Sequence, residues 1–174
     1  MLFELIAAVV AGVAIAGVAM SLRWASRGRL PKWIVPAAAG LGMLSYALWS
    51  EYSWLSRITR AMPEGVVVAW HNEDRAFWRP WSYYRPVANR LSAVDTRTAQ
   101  RHPDQPGQVM VDLILAARWQ PSARVRVIYD CNSNRRADLI GSDISVAEDG
   151  AIVGAQWLQL EPDDAALRIA CKTE

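Results

Sequence analysis

The stretch LIAAVVAGVAIAGVAMSL, Leu5 to Leu22, is apolar or small at every position, and a second such run, WIVPAAAGLGMLSYALW, extends from Trp33 to Trp49. Neither run contains a charge. Each is close to the roughly 20 residues that cross a hydrocarbon core as a helix. Between them lies RWASRGRLPK, with Arg23, Arg27, Arg29 and Lys32 and no acid, whereas Glu4 is the side-chain charge before the first run. Positive loops stay in the cytoplasm, so both chain ends are expected on the far side of the membrane, in the periplasm of a bacterial inner membrane. A cleaved signal peptide wants its positive charge ahead of the apolar stretch; here the charge follows, which favours a retained anchor.

With these runs at its N-terminal end, the chain is expected to be of the membrane α+β class. A two-helix transmembrane hairpin occupies 1–62, with spans at about 5–22 and 33–50 and the basic loop at 23–32. Apolar residues continue at helical spacing through Trp54, Leu55, Ile58 and Met62 until Pro63 and Gly65. A helix from Trp33 to Met62 is about 45 Å long against a core of roughly 30 Å, so its end is expected to project as a stalk. Trp24 and Trp33 mark one interface; Tyr46, Trp49, Tyr52 and Trp54 mark the other.

Residues 63–174 read as a small extracytoplasmic domain of short strands and a C-terminal helix. GVVVAW (65–70), QVMVDLILAARW (108–119) and ARVRVIYDC (123–131) are rich in β-branched residues, and the last two flank a turn at Gln120–Ser122, predicting an antiparallel hairpin. Alternation puts Val125, Val127 and Tyr129 on one face and Arg124 and Arg126 on the other. SDISVAEDGAIVGAQWLQL predicts a second hairpin turning at Asp149-Gly150. In EPDDAALRIACK, Pro162, Asp163 and Asp164 suit a helix start and Ala165 to Cys171 its body. Pro86–Pro106 fits either strand or short helix, and HPDQPG, His102 to Gly107, reads as a loop.

The domain's charge is nearly balanced: of 19 Lys and Arg four lie in the cytoplasmic loop, and of 17 Asp and Glu one is Glu4. That balance gives no electrostatic case for nucleic acid. Cys131 and Cys171 fall on the oxidising side and are expected to form a disulfide.

YDCNSNRRADL places Asp130, Asn132, Asn134 and Asp138 at EF-hand positions 1, 3, 5 and 9, the spacing at which oxygens converge on calcium. Arg135 stands where that loop needs Gly and Gly141 where it needs Glu, and Arg135 and Arg136 repel a cation. A polar turn, with Asp138 paired to an arginine, is therefore preferred to a metal site, and no cofactor is expected. HNEDR, His71 to Arg75, offers His71, Glu73 and Asp74 without a second His in register and reads as a solvated loop after the first strand. No nucleophile motif, phosphate loop or haem site is present, and no enzyme activity is expected.

Two features point to partners. Ala8, Gly12 and Ala16 form a small-residue stripe in the first helix and Ala38 and Gly42 another in the second. Such stripes let helices approach closely, either each other or a partner's helix, and both readings stay open here. In FWRPWSYYRP, Trp78, Trp81, Tyr83 and Tyr84 interleave with Arg79 and Arg85. Aromatic and Arg residues on a Pro-stiffened segment are the material of interface hot spots, of a seat on lipid headgroups, or of a local core with cation-π stacking. The expectation is a non-catalytic accessory or assembly subunit of an integral membrane complex, an energy-transducing one among the candidates. The alternative is a membrane-anchored ligand-binding or envelope sensor module for glycan or metal.

Overall fold

The computed structural model describes residues 2–27, 29–140, 145–146 and 152–173. They divide into two compact units, Met1–Trp54 and Leu55–Glu174. The first holds α1 (Leu2–Ala25) and most of α2 (Ile34–Ala61). Among the described helices, α1 alone is long and apolar enough to cross a membrane or to act as a signal sequence. α2 is longer, but Pro36, Gly40, Ser45, Tyr46, Ser50 and Glu51 dilute its apolar character.

The two helices are notched into each other by glycine. Gly12 and Gly42 are both buried. A β-carbon on Gly12 would come within 2.7 Å of Met43, and one on Gly42 within 2.9 Å of Ile15 and 3.1 Å of the Ala11 carbonyl. Gly17 and Gly40 meet nothing within 4 Å. The Ser50 hydroxyl donates to Glu4 Oε1 at 3.2 Å. Gly12 and Gly42, expected as contacts for each other or for a partner, are thus engaged within the pair; Ala8, Ala16 and Ala38 are half-buried.

The second unit is an antiparallel sheet with one helix on it. β1 (Val66–His71), β2 (Arg90–His102), β3 (Gln105–Ala117), β4 (Ala123–Asp130), β5 (Arg135–Asp138) and β8 (Trp157–Gln159) hydrogen-bond in the order β1-β2-β3-β4-β5-β8. β6 (Ser145–Val146) and β7 (Ile152–Val153) form a separate pair, and a single turn, α3 (Trp81–Tyr84), sits between β1 and β2. α4 (Ala165–Lys172) starts at Asp164, whose side chain accepts the Leu167 N–H at 2.8 Å, satisfying a free helix-end donor.

The register of β3 on β4 sets Leu113 opposite Val125, Val111 opposite Val127 and Val109 opposite Tyr129. Those residues, with Val94, form the core against Leu167 and Ala170 of α4. The arginine face of β4 is different: Arg126 donates to Asp112 Oδ1 at 3.0 Å. Cys131 and Cys171 are disulfide-bonded with Cα atoms 5.8 Å apart, fastening α4 to the end of β4.

The structure resolves one open reading, as strand, and corrects the sequence reading in two other places. Pro86–Pro106 contains β2, a full central strand. HPDQPG is not a loop: His102 pairs with Gln105, so the turn is Pro103-Asp104 and Gln105–Gly107 belong to β3. The second hairpin is shorter than expected. β7 pairs with β6, but the chain bends at Gly154, φ 84°, a left-handed value that suits glycine, and Trp157–Gln159 joins the main sheet beside β5. The expected Asp149-Gly150 turn lies outside the described residues.

Candidate functional site at the aromatic end of the sheet

β1 and β2 are joined by an excursion, residues 72–89, that is far longer than a hairpin turn and is tied off at its neck. Asn72 Oδ1 accepts from the Asn89 N–H at 2.9 Å and the Arg90 N–H at 2.8 Å, and Asn72 Nδ2 donates to Asn89 Oδ1 at 2.8 Å. One step further out, Asp74 and Val87 exchange backbone hydrogen bonds of 2.9 and 3.1 Å. The tip is pinned by the buried Ser82, whose hydroxyl accepts from the Ala76 N–H at 3.0 Å and donates to the Arg79 carbonyl at 2.7 Å. Compact loops with closed ends and internal packing are frequently functional.

What this scaffold displays is aromatic. Phe77 is 79 %, Trp78 64 %, Tyr83 61 % and Tyr84 96 % exposed, while Trp81 in the same turn is half-buried. Phe77 and Trp78 stack edge to face, centroids 4.8 Å apart. Exposed aromatics rimmed by polar residues mark interaction surfaces. Of the expected contacts, Trp78, Tyr83 and Tyr84 thus point to solvent with Arg79 and Arg85 interleaved, which disfavours a closed local core for them.

Strand register brings more of the same chemistry to this end. Trp70 pairs with Ser92, Arg90 with Ala117 and Leu115 with Ala123. The loop therefore emerges beside the β3–β4 turn, where Trp119 is exposed under the Arg118 guanidinium, 4.5 Å from its ring centroid. The Arg118 N–H donates to the Asn89 carbonyl at 2.9 Å, stitching turn to neck. On the face that carries α4, an open cavity of about 710 Å³ lies at this same end, lined by Trp70, Leu113, Leu115, Val125 and Arg90 among others. Arg136, Asp138 and Asp164 form its polar wall. Arg136 Nε is 2.8 Å from Asp138 Oδ1.

The YDCNSNRRADL segment is a turn built around Asp130. Its carboxylate accepts from the Asn132 N–H at 3.0 Å, the Ser133 N–H at 3.2 Å, the Ser133 hydroxyl and Arg135 Nη2 at 3.1 Å. Asn134 takes a left-handed φ of 52° to close it. Asn132 packs against Gly107, leaving no room for a β-carbon there, and Asp138 lies on β5 facing Arg136. Three of the residues at calcium-loop spacing thus have other engagements, Asp130 with its turn, Asn132 against Gly107 and Asp138 with Arg136. Among the described residues no group of three His, Cys, Asp or Glu is placed to share a metal ion. The acids of HNEDR are engaged separately: Asp74 is at the neck with Asn89, and Glu73 is 3.6 Å from Arg75. Asp130 sits at the opposite end of the sheet.

Comparison of the chain with protein-family models, with curated proteins and with solved structures finds no match.

Titration of the domain reflects its buried groups. Asp95, 1 % exposed, is forked by Arg97 at 2.8 and 2.7 Å, and those hydrogen bonds hold its carboxyl below the usual range against the opposing effect of burial. For Asp130, burial pushes upward, but the Ser133 hydroxyl, Arg135 and the turn N–H groups outweigh it and the net shift is downward. Tyr129 is pushed up to about 12 by burial, and its hydroxyl has no hydrogen-bond partner of normal geometry among Arg136, Asp138 and Asp164.

The folded state binds the two carboxyl protons less tightly than the unfolded chain, so their stabilisation is complete above about pH 4 and is lost as pH falls through their lowered values. Folded Tyr129 keeps its proton where the unfolded chain releases it near 10, so stability is lost as pH rises from roughly 10 to 12, by up to roughly 3 kcal/mol. Thermal unfolding followed by circular dichroism should show a plateau between these limits. Tyr129→Phe should flatten the alkaline limb; an unchanged limb would contradict the assignment.

Proposed function

We propose that the chain is a non-catalytic accessory or assembly subunit of an inner-membrane protein complex, anchored by α1 and α2 as a transmembrane hairpin. Its disulfide-tied β domain works in the periplasm. The observation that carries this reading is the neck-locked loop 72–89, which holds four large aromatic side chains in water. Exposed apolar area of this kind is unfavourable for an isolated domain and is recovered on association. The basic 23–32 loop supports the orientation, and the disulfide fits an oxidising compartment. In the anchor, Gly17 and Gly40 leave open space against which a partner's helix can pack. An energy-transducing complex is one host that fits.

A second reading, a membrane-anchored ligand-binding or sensor module, draws on the cavity beside Trp70. Affinity purification of the tagged full-length protein from native membranes in mild detergent, with quantitative mass spectrometry, separates the two. The subunit reading expects one defined complex in fixed stoichiometry. Recovery of the protein alone would overturn it and favour the ligand-binding module.

A further inference from the structure

The cavity at this end of the sheet has an apolar floor, a polar wall and no net charge. Its lining sets Arg90 and Arg136 against Asp138 and Asp164. Six alanines, Ala123 among them, leave it hollow, and its apolar side chains include the exposed Trp70, Leu115 and Ile140. The strand ladder places Leu113 opposite Val125, and on the next strand Asp138 opposite Val127 and Arg136 opposite Tyr129. Directly opposed residues share a face of the sheet, so the wall stands beside the floor.

That wall is incompletely bonded. Arg136 Nη2 donates to Asp138 Oδ2 at 3.2 Å. Arg136 Nε and Asp138 Oδ1 are 2.8 Å apart but out of hydrogen-bond alignment, and both atoms are buried with no other partner among the described residues. The hydroxyl of Tyr129, a wholly buried residue opposite Arg136, is unpartnered too. A donor, an acceptor and a hydroxyl able to act as either thus meet in one place. Buried polar atoms are nearly always bonded, so three together mark a spot that a bound group completes.

We infer that this cavity binds a neutral amphiphilic small molecule, its apolar body on Leu113, Leu115 and Val125 and its hydroxyl or amide head at Arg136 and Asp138. The site goes beyond the accessory-subunit reading and does not depend on it. It gives the second reading a ligand class.

The balance of the wall selects the head. An ionic head would shed its water to meet a countercharge that already has a partner, whereas a hydroxyl or amide accepts from the guanidinium and donates to the carboxylate without disturbing the pair. The floor selects the body, because exposed apolar side chains in a hollow gain by excluding water. The volume, about 710 Å³, is within the range of small-molecule pockets, roughly 300–1,000 Å³.

The test uses water-soluble six-carbon probes that differ in the head alone: hexanol, hexanamide, hexanoate and hexylammonium. Full-length protein in lipid nanodiscs, with carbon-13 labels in its Leu and Val methyl groups, is titrated with each and followed by NMR. Leu113, Leu115 and Val125 should show saturable shifts with hexanol and hexanamide, at concentrations at least about tenfold lower than with the charged probes. Ala123→Trp, at an exposed lining residue, should abolish saturation with every probe. Arg136→Leu with Asp138→Leu removes both charges together, so no lone ion is left in the wall, and should weaken hexanamide by about tenfold. Unchanged methyl shifts of the core residues Val109 and Val111 report that these variants fold.

Shifts that only grow linearly with probe, as from partition into the bilayer, would overturn the inference. So would equal affinity for charged and neutral heads, or unaltered hexanamide binding by the double variant. If a partner complex co-purifies while no probe saturates, only this inference fails. If the protein is recovered alone but binds hexanamide saturably, the inference stands and the accessory-subunit reading falls.

Discussion

Cys171→Ser is expected to lower the unfolding free energy of the β domain by roughly 4 kcal/mol, the chain-entropy value for releasing a loop of this length. The disulfide spans 40 residues and is the covalent link between α4 and the sheet. α4 has eight residues and contributes Leu167 and Ala170 to the core. A helix that short is marginal without packing, so freeing its C-terminal end exposes Val94, Val111 and Tyr129 as well as the helix itself. Guanidinium unfolding of full-length protein in lipid nanodiscs, read by circular dichroism, measures the effect. Dithiothreitol should lower the wild-type midpoint to the variant's and leave the variant unchanged. A variant as stable as wild type would show that the packing of α4 suffices without the bond.

Asn72→Ala should cost about 2–4 kcal/mol locally, because it removes the acceptor of two neck N–H groups and leaves Asn89 Oδ1 without its donor. The loss is expected to fall on the loop. Hydrogen exchange at residues 76–86 should accelerate by an order of magnitude or more while the amides of β3 and β4 hold their protection. Ser82→Ala is the companion change: it removes the hydroxyl bonded to Ala76 and Arg79 and should loosen the tip while the Asn72 neck stays closed. Uniform protection across the loop in Asn72→Ala would mean that aromatic packing, not the neck, holds its shape.

The parts of the domain that were legible in the sequence are those whose pattern is local. Val125, Val127 and Tyr129 alternate with Arg124 and Arg126, and the strand they form buries the first set and bonds Arg126 of the second to Asp112. Asp164 three residues before Leu167 announces a capped helix, and the cap is present. β2 was not legible because its bulged stretch, Thr96 to Thr98, is polar, one of its buried residues is the charged Asp95, and another, Ala93, is small. Its register comes from β1 and β3, not from its own periodicity. Pro103 and Pro106 suggested one long loop, yet Pro103 fits the turn and the chain resumes pairing at Gln105.

The candidate site divides in the same way. The aromatic and arginine content of residues 77–85 stands out by composition alone. Its neck does not, because Asn72 and Asn89 are 17 residues apart and each is an unremarked polar residue in a loop. HNEDR reads as a solvated loop, but Asn72 and Asp74 within it are the residues that tie the excursion to β2. The cavity was invisible for the same reason: Trp70, Leu115 and Arg136 come from three strands and meet only in the folded sheet.

The central claim is that another protein covers the displayed rings. Hydroxyl-radical footprinting of Phe77, Trp78, Tyr83 and Tyr84 tests it directly, comparing the full-length protein in its native membranes with the purified protein in nanodiscs of the same lipids. Oxidation of these four residues should be several-fold lower in native membranes, with exposed Val153 outside the site unchanged. Equal oxidation in the two settings would contradict it.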